Sequence, residues 1–176
     1  MDIKIAITQA NDEVAIMSFI TVGRGNILPF GAGWVDERAG EWIRFATPEN
    51  IENEIARSDF LAKPIKGWRI VSLSEIPKDR TYRNALRDVQ GKLNHDMPIA
   101  RELHREKIRH ARAIKFVELD GEWTKAVGQY KGADVIDAIE AKRQKLRDMP
   151  NDHKIEEVTT TEELKALWPT EELGEI

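Results

Sequence analysis

The segment from Asp96 to about Gln129 constrains the fold more than any other stretch of the chain. Asp96 is a good helix cap, and Pro98 falls in the first turn, where a missing backbone N–H costs nothing. The run beginning Ile99-Ala100-Arg101-Glu102-Leu103-His104-Arg105 reads as one long and highly charged helix, weakened near Gly121 and Gly128 by about 1 kcal/mol each relative to alanine. At 176 residues the chain can bury one real core or divide into a compact head and a helical arm, but it cannot hold two large domains. With so much of its length given to one helix, a small head plus a helical appendage is expected.

A second helix is expected from Asp134 to Asp148, with Val135, Ile139 and Leu146 on a common side and Pro150 shortly after its end. The break between Gly128 and Gly132 makes the pair an antiparallel helical hairpin. A last short helix is signalled by Thr161 as cap, Glu162 and Glu163 in the first turn, and the stop Trp168-Pro169; Glu171, Glu172 and Glu175 leave an acidic, fraying end.

Upstream the hydrophobic period changes. Ile3, Ile5 and Ile7 alternate with polar or small residues, and Val14, Ile16, Phe19, Ile20 and Val22 come after Asn11-Asp12-Glu13, a β-hairpin pattern. Glycines 23, 25, 31 and 33 with Pro29 predict a loop over 23–33, and a strand is expected over 41–45. Thr47 as cap and Pro48 at the first position start a short helix that buries Ile51, Ile55 and Phe60. A further strand at 68–71 ends at Ile76-Pro77. Turn signals at 77–80 and 89–92 make 81–94 either a short hairpin or an irregular crossing segment. The expected class is therefore α+β: a small β-rich head (1–76), a connector (77–96), an antiparallel helical hairpin (97–150), and a short C-terminal helix with an acidic end (151–176).

Composition narrows the chemistry. The chain has no cysteine, so thiol chemistry, disulfides and thiolate metal sites are excluded, in keeping with a reducing compartment. No run approaches the ~18 apolar residues of a membrane span, and the N-terminus lacks a signal-peptide pattern; no membrane partner is expected. His104 and His110 lie about 240° apart around a helix, and no histidine pair has the spacing that puts two ligands on one face, so no metal site is expected. Gly23-Arg24-Gly25 lacks the third glycine of a dinucleotide loop, Leu93 stands where a phosphate loop needs Ser or Thr, and no serine sits in a glycine-flanked elbow. With 31 acids in the chain, clusters such as Asp36, Glu37 and Glu41 arise by chance. No cofactor and no catalytic residue is expected.

The positive signal is charge segregation. Arg101, Arg105, Arg109 and Arg112 form a stripe along the long helix, flanked by Lys107 and Lys115 and opposed by Glu102 and Glu106. Such a face either grips an acidic partner or is satisfied within the chain, by those glutamates or by the acidic C-terminal segment folding back. Nucleic acid is disfavoured, because no aromatic lies between Arg101 and Lys115 and the formal net charge is -4. Of five tryptophans, Trp42 and Trp68 are assigned to the head core, while Trp123 and Trp168 seal one another or anchor a partner.

Four sequence words bear on identity: Ile76-Pro77-Lys78-Asp79-Arg80-Thr81-Tyr82-Arg83-Asn84-Ala85, Asp96-Met97-Pro98-Ile99-Ala100-Arg101-Glu102, Lys145-Leu146-Arg147-Asp148 and Thr161-Glu162-Glu163-Leu164-Lys165-Ala166-Leu167-Trp168-Pro169. In this order, over about 68–169, the chain resembles small proteins encoded in the tail and tail-fibre modules of tailed bacteriophages and prophages, some named tail assembly chaperones. The head, above all 23–41, departs from that pattern. The resemblance implies a non-enzymatic protein acting on other tail or fibre proteins, in a homo-oligomer or symmetric assembly, in the host cytoplasm during assembly or in the virion. Arg80, Tyr82 and Arg83 are then expected to fix head against hairpin. Arg101, Arg105, Arg109 and Arg112, with Trp123 and Trp168, are the candidate partner surface. No clean heptad seam runs along the helix.

Overall fold

The computed structural model describes residues 2–22, 26–29, 35–36, 41–42, 48–59, 61 and 64–175. The protein is α+β, with antiparallel strands in its N-terminal part and long helices after them. It divides into two compact units, Met1–His95 and Asp96–Ile176.

The first unit is built on a four-stranded antiparallel sheet. Strands β1 (Asp2–Thr8) and β2 (Val14–Val22) form the expected hairpin, in the register Ile5 opposite Met17. A short strand β3 (Asn26–Pro29) pairs with β2, so a strand occupies part of the expected 23–33 loop. It lies at the sheet edge and ends on Pro29, a position where the missing N–H breaks no ladder; residues 23–25 and 30–34 lie outside the described residues. Strands β4 (Val35–Asp36) and β5 (Glu41–Trp42) form a separate two-residue pair, whereas 43–45, Thr47 and Phe60 fall outside the described residues. Helix α1 (Pro48–Arg57) starts on its proline and buries Ile51 and Ile55, and β6 (Gly67–Val71) closes the sheet against β1.

Successive side chains of a strand point to opposite faces, and here both faces are covered. Ile5 and Ile7 pack with Ile51, Ile55 and Leu61, with half-buried Trp68 against them. Ala6 lies with Val14 and Val71 in a second cluster, completed by Leu86 and Leu93. Those last two belong to a hairpin, β7 (Leu86–Val89) and β8 (Lys92–His95), turned by Gln90 and Gly91 at φ of 52° and 77°. Two consecutive left-handed residues are the signature of the two-residue turn whose twist matches paired strands. The segment expected as a connector is thus part of the first unit, and the boundary falls after His95. The physical reason is burial: without Leu86 and Leu93 the Ala6 face of the sheet would be bare.

The second unit opens with α2 (Met97–Gly128), whose cap is Asp96: its Oδ1 accepts the Ile99 N–H at 3.2 Å. The helix runs through Gly121 and ends at Gly128. The turn beyond it places Tyr130 at φ 54°, with the Lys131 N–H bonded back to the Ala126 carbonyl at 3.0 Å, a closure normally made by glycine. Helix α3 (Ala133–Asp148) returns against α2, burying Ile139 and Leu146 and half-burying Val135. The remainder is more structured than the single helix expected: α4 (Lys154–Glu157), α5 (Thr161–Ala166) and α6 (Thr170–Leu173). The α5 cap is Thr160, one residue before the Thr161 expected, because Glu163 reaches back to both the Thr159 and Thr160 N–H groups while Thr160 Oγ1 accepts the Glu163 N–H at 3.2 Å. The acidic end does not fray at Glu172, which forms an ion pair with Lys145 on α3.

Candidate docking surface

The arginine stripe of α2 is occupied within its own unit. Arg101 donates to the Val158 carbonyl at 2.8 Å and lies 3.5 Å from Glu156, which also pairs with Arg105. Arg109 bonds Glu102 at 2.6 Å, and this contact, more than Arg105 beside it, holds the Glu102 carboxyl below its ordinary value. Arg112 donates through Nη1 to the carbonyls of Leu146 and Arg147, both at 2.9 Å, and so closes the end of α3 while its guanidinium lies 5.8 Å from the Phe116 ring. Of the two uses open to the stripe, the inward one is realised, partly through local glutamates and partly through the folded-back C-terminal segment.

That segment is held a second time, by a histidine. His104 comes four residues after Ala100 and four before Ile108, and all three are fully buried. Trp168 meets the His104 ring edge-on at 5.9 Å between centroids, and its indole N–H donates to the Gly174 carbonyl at 2.7 Å. Burial, reinforced by the charges of Arg105 and Lys107, lowers the His104 pKa to about 4, so the ring is neutral in the fold. Trp168 is therefore an internal clasp, and Trp123, 38% exposed, stays at the surface. The Ala100/His104/Ile108 period was the available signal for His104, and counting histidines only as metal ligands hides it.

Arg80, Tyr82 and Arg83 lie in the first unit, in the turn leading to β7. Tyr82 is 2% exposed, and burial pushes its hydroxyl up to about 12, with the Asp79 charge adding to it. Arg80 and Arg83 are exposed and, with Glu13 and Asp79, line a cleft of about 350 Å³ floored by Val14 and Leu86. The mixture of two cations and two anions gives it no single charge preference. Arg69 ties this unit together, donating to Asp88 at 2.6 Å and Glu75 at 2.9 Å. The Glu75 carboxyl is lowered to about 2, first by the Ser72 N–H and then by Arg69.

His110 and His153 are exposed, and His95 is half-buried. No group of three potential metal ligands occurs among the described residues, and no helix among them is long and apolar enough to cross a membrane. The side chains of Asp36, Glu37, Glu41 and Trp42 lie outside the described residues.

The outward-facing side of the hairpin carries apolar residues among its charges. On the second half of α2, Ile114 is 64% exposed, Val117 74% and Val127 41%, and Tyr130 in the turn is 96% exposed. These residues sit away from the Ala100/His104/Ile108 face, and a helix that shows apolar residues on both sides has a second face to cover. The outer half of the hairpin, including Trp123, is accordingly the candidate docking surface, and the arginines build the scaffold that presents it. No protein-family model, no curated protein and no solved structure matches the chain.

Proposed function

We propose that the chain is a non-enzymatic protein of a bacteriophage tail or tail-fibre module, a minor structural or adaptor component of the virion that works by holding other tail or fibre proteins. The observation that carries this reading is the resemblance of its four sequence words, in order, over about 68–169. The structural roles of those words are consistent with it. Asp96 caps α2, Arg101 holds the C-terminal segment, Leu146 lies in the buried side of α3, and Glu163 and Trp168 fasten the end of the chain. Residues with such roles hold the hairpin together, and a held hairpin with exposed apolar side chains on its outer half is suited to protein docking. The same placement of arginines weighs against a nucleic-acid reading, since guanidinium groups bonded to carbonyls and carboxylates are not free for phosphates.

Deleting the reading frame from an inducible prophage tests this function. The expected result is particles with defective or missing tail or fibre structures in negative-stain micrographs, restored by the gene supplied in trans. Normal particles at normal titre would refute it. A tail or fibre assembly chaperone, which acts in the host cytoplasm and leaves before maturation, is the other member of the same class, and it is separated from a virion component by the composition of finished particles.

A further inference from the structure

We propose that the outer face of α2 from Ile114 to Gly128 is a self-association surface, on which the same helix of a second copy of this chain packs antiparallel. This rests on no part of the tail-module reading, which implies a homo-oligomer but no surface for it, and it fails separately from that reading.

The helix as a whole has no heptad seam, but a short one runs along this exposed stretch. Ile114, Val117, Gly121, Thr124 and Gly128 recur at alternating three- and four-residue steps, the spacing of a two-helix seam, over about 21 Å of helix. The seam lies on the side of α2 opposite Ala126, which is buried. Ile114 and Val117 are 64% and 74% exposed, so their apolar surface is uncovered in the isolated chain. The one hydroxyl on the seam is already satisfied, as Thr124 Oγ1 donates to the Asp120 carbonyl at 2.8 Å. Gly121 and Gly128 each cost the helix about 1 kcal/mol relative to alanine. Nothing among the described residues requires them, for a Cβ built at either meets no atom within 4 Å. Open space over two glycines beside two exposed aliphatic side chains fits a backbone approaching from outside.

Charge selects the occupant and its direction. In an antiparallel pair about a two-fold axis, Val117 stands opposite Gly128 of the second copy and Gly121 opposite Thr124, so that valine meets glycine, while Ile114 lies past the last glycine at each end of the seam. Along one edge of the seam the flanking residues are Glu118 and Lys125, and the antiparallel symmetry brings Glu118 of each copy to Lys125 of the other. Lys125 has no ion-pair partner among the described residues, and Glu118 is held only by an exposed contact to Lys115 at 3.1 Å. A parallel pair would instead set Lys125 against Asp120, which Arg143 already binds at 2.7 Å. The antiparallel pair meets the more weakly held carboxylate of the two.

The test is sedimentation or light scattering of the full chain over a concentration series, with circular dichroism confirming that every variant keeps its helix. The natural chain is expected to dimerise. Glu118→Lys and Lys125→Glu each replace two attractive contacts by two repulsive ones and are expected to weaken the dimer about tenfold or more. Mixing the two single variants restores complementarity in a mixed pair, and the double variant E118K/K125E restores it in a self-pair, so both are expected to recover dimerisation. A monomer at all concentrations overturns the proposal, as does a dimer indifferent to the single substitutions or one that neither the mixture nor the double variant recovers.

Discussion

His104 links the acidity of the medium to the stability of the second unit. Its pKa falls from 6.5 to about 4 on folding, chiefly because the ring is buried, so between those values the unfolded chain binds a proton that the folded chain refuses. Nothing is lost above the unfolded value. Below it the stability falls steadily until the folded ring itself protonates near pH 4, and the whole difference is worth about 3 kcal/mol. The carboxylates of Glu102, Glu140 and Glu163, all lowered by arginine or backbone donors, act in the same direction but only below their ordinary value of 4.5. The interval from about pH 6.5 to 4.5 therefore belongs largely to the histidine. The assay is urea unfolding monitored by far-ultraviolet circular dichroism across that interval, for the natural chain and for His104→Leu. The variant is expected to show a flatter dependence, the difference between the two curves shifting in its favour by about 2 to 3 kcal/mol as the pH falls. Parallel curves would refute the reasoning, whatever the absolute stability of the variant.

Three other outcomes rest on named contacts. Arg112→Ala leaves two carbonyls at the end of α3 without their cationic donor and is expected to cost the hairpin about 2 kcal/mol in chemical denaturation. In the β7–β8 turn, Gly91→Ala forces a side chain onto φ 77° and is expected to destabilise the first unit by about 1 kcal/mol, while Gln90→Gly relieves the same strain at φ 52° and should lower no melting temperature. Thr160→Ala removes the α5 cap, with an expected loss of about 1 kcal/mol and faster amide exchange confined to 161–168.

Much of the fold was legible because it rests on local rules. Asp96 and Pro98 fix the start of α2, the Ile3/Ile5/Ile7 alternation fixes β1, and Pro48 opens α1, each through its own backbone chemistry. Local rules miss pairing at a distance. The 86–95 hairpin looks like a connector until Ala6 and Val14 need Leu86 and Leu93 as cover, and β3 looks like a loop because its glycine and proline neighbours mask its pairing with β2. The arginine stripe was legible on its helix, but its destination was not. Four arginines in a row advertise a partner, yet their partners were Val158, Glu156, Glu102 and Leu146 of the same unit. The apolar outer side was harder to see, since Ile114 and Val117 are ordinary residues until the opposite face is known to be the buried one.

The claim that this chain is a part of the phage tail meets its most direct test in the protein inventory of purified particles. Quantitative mass spectrometry of gradient-purified virions from an induced lysogen should find it co-migrating with tail and fibre proteins at a fixed ratio to them. Finished, infectious particles free of the chain would contradict its place in the virion.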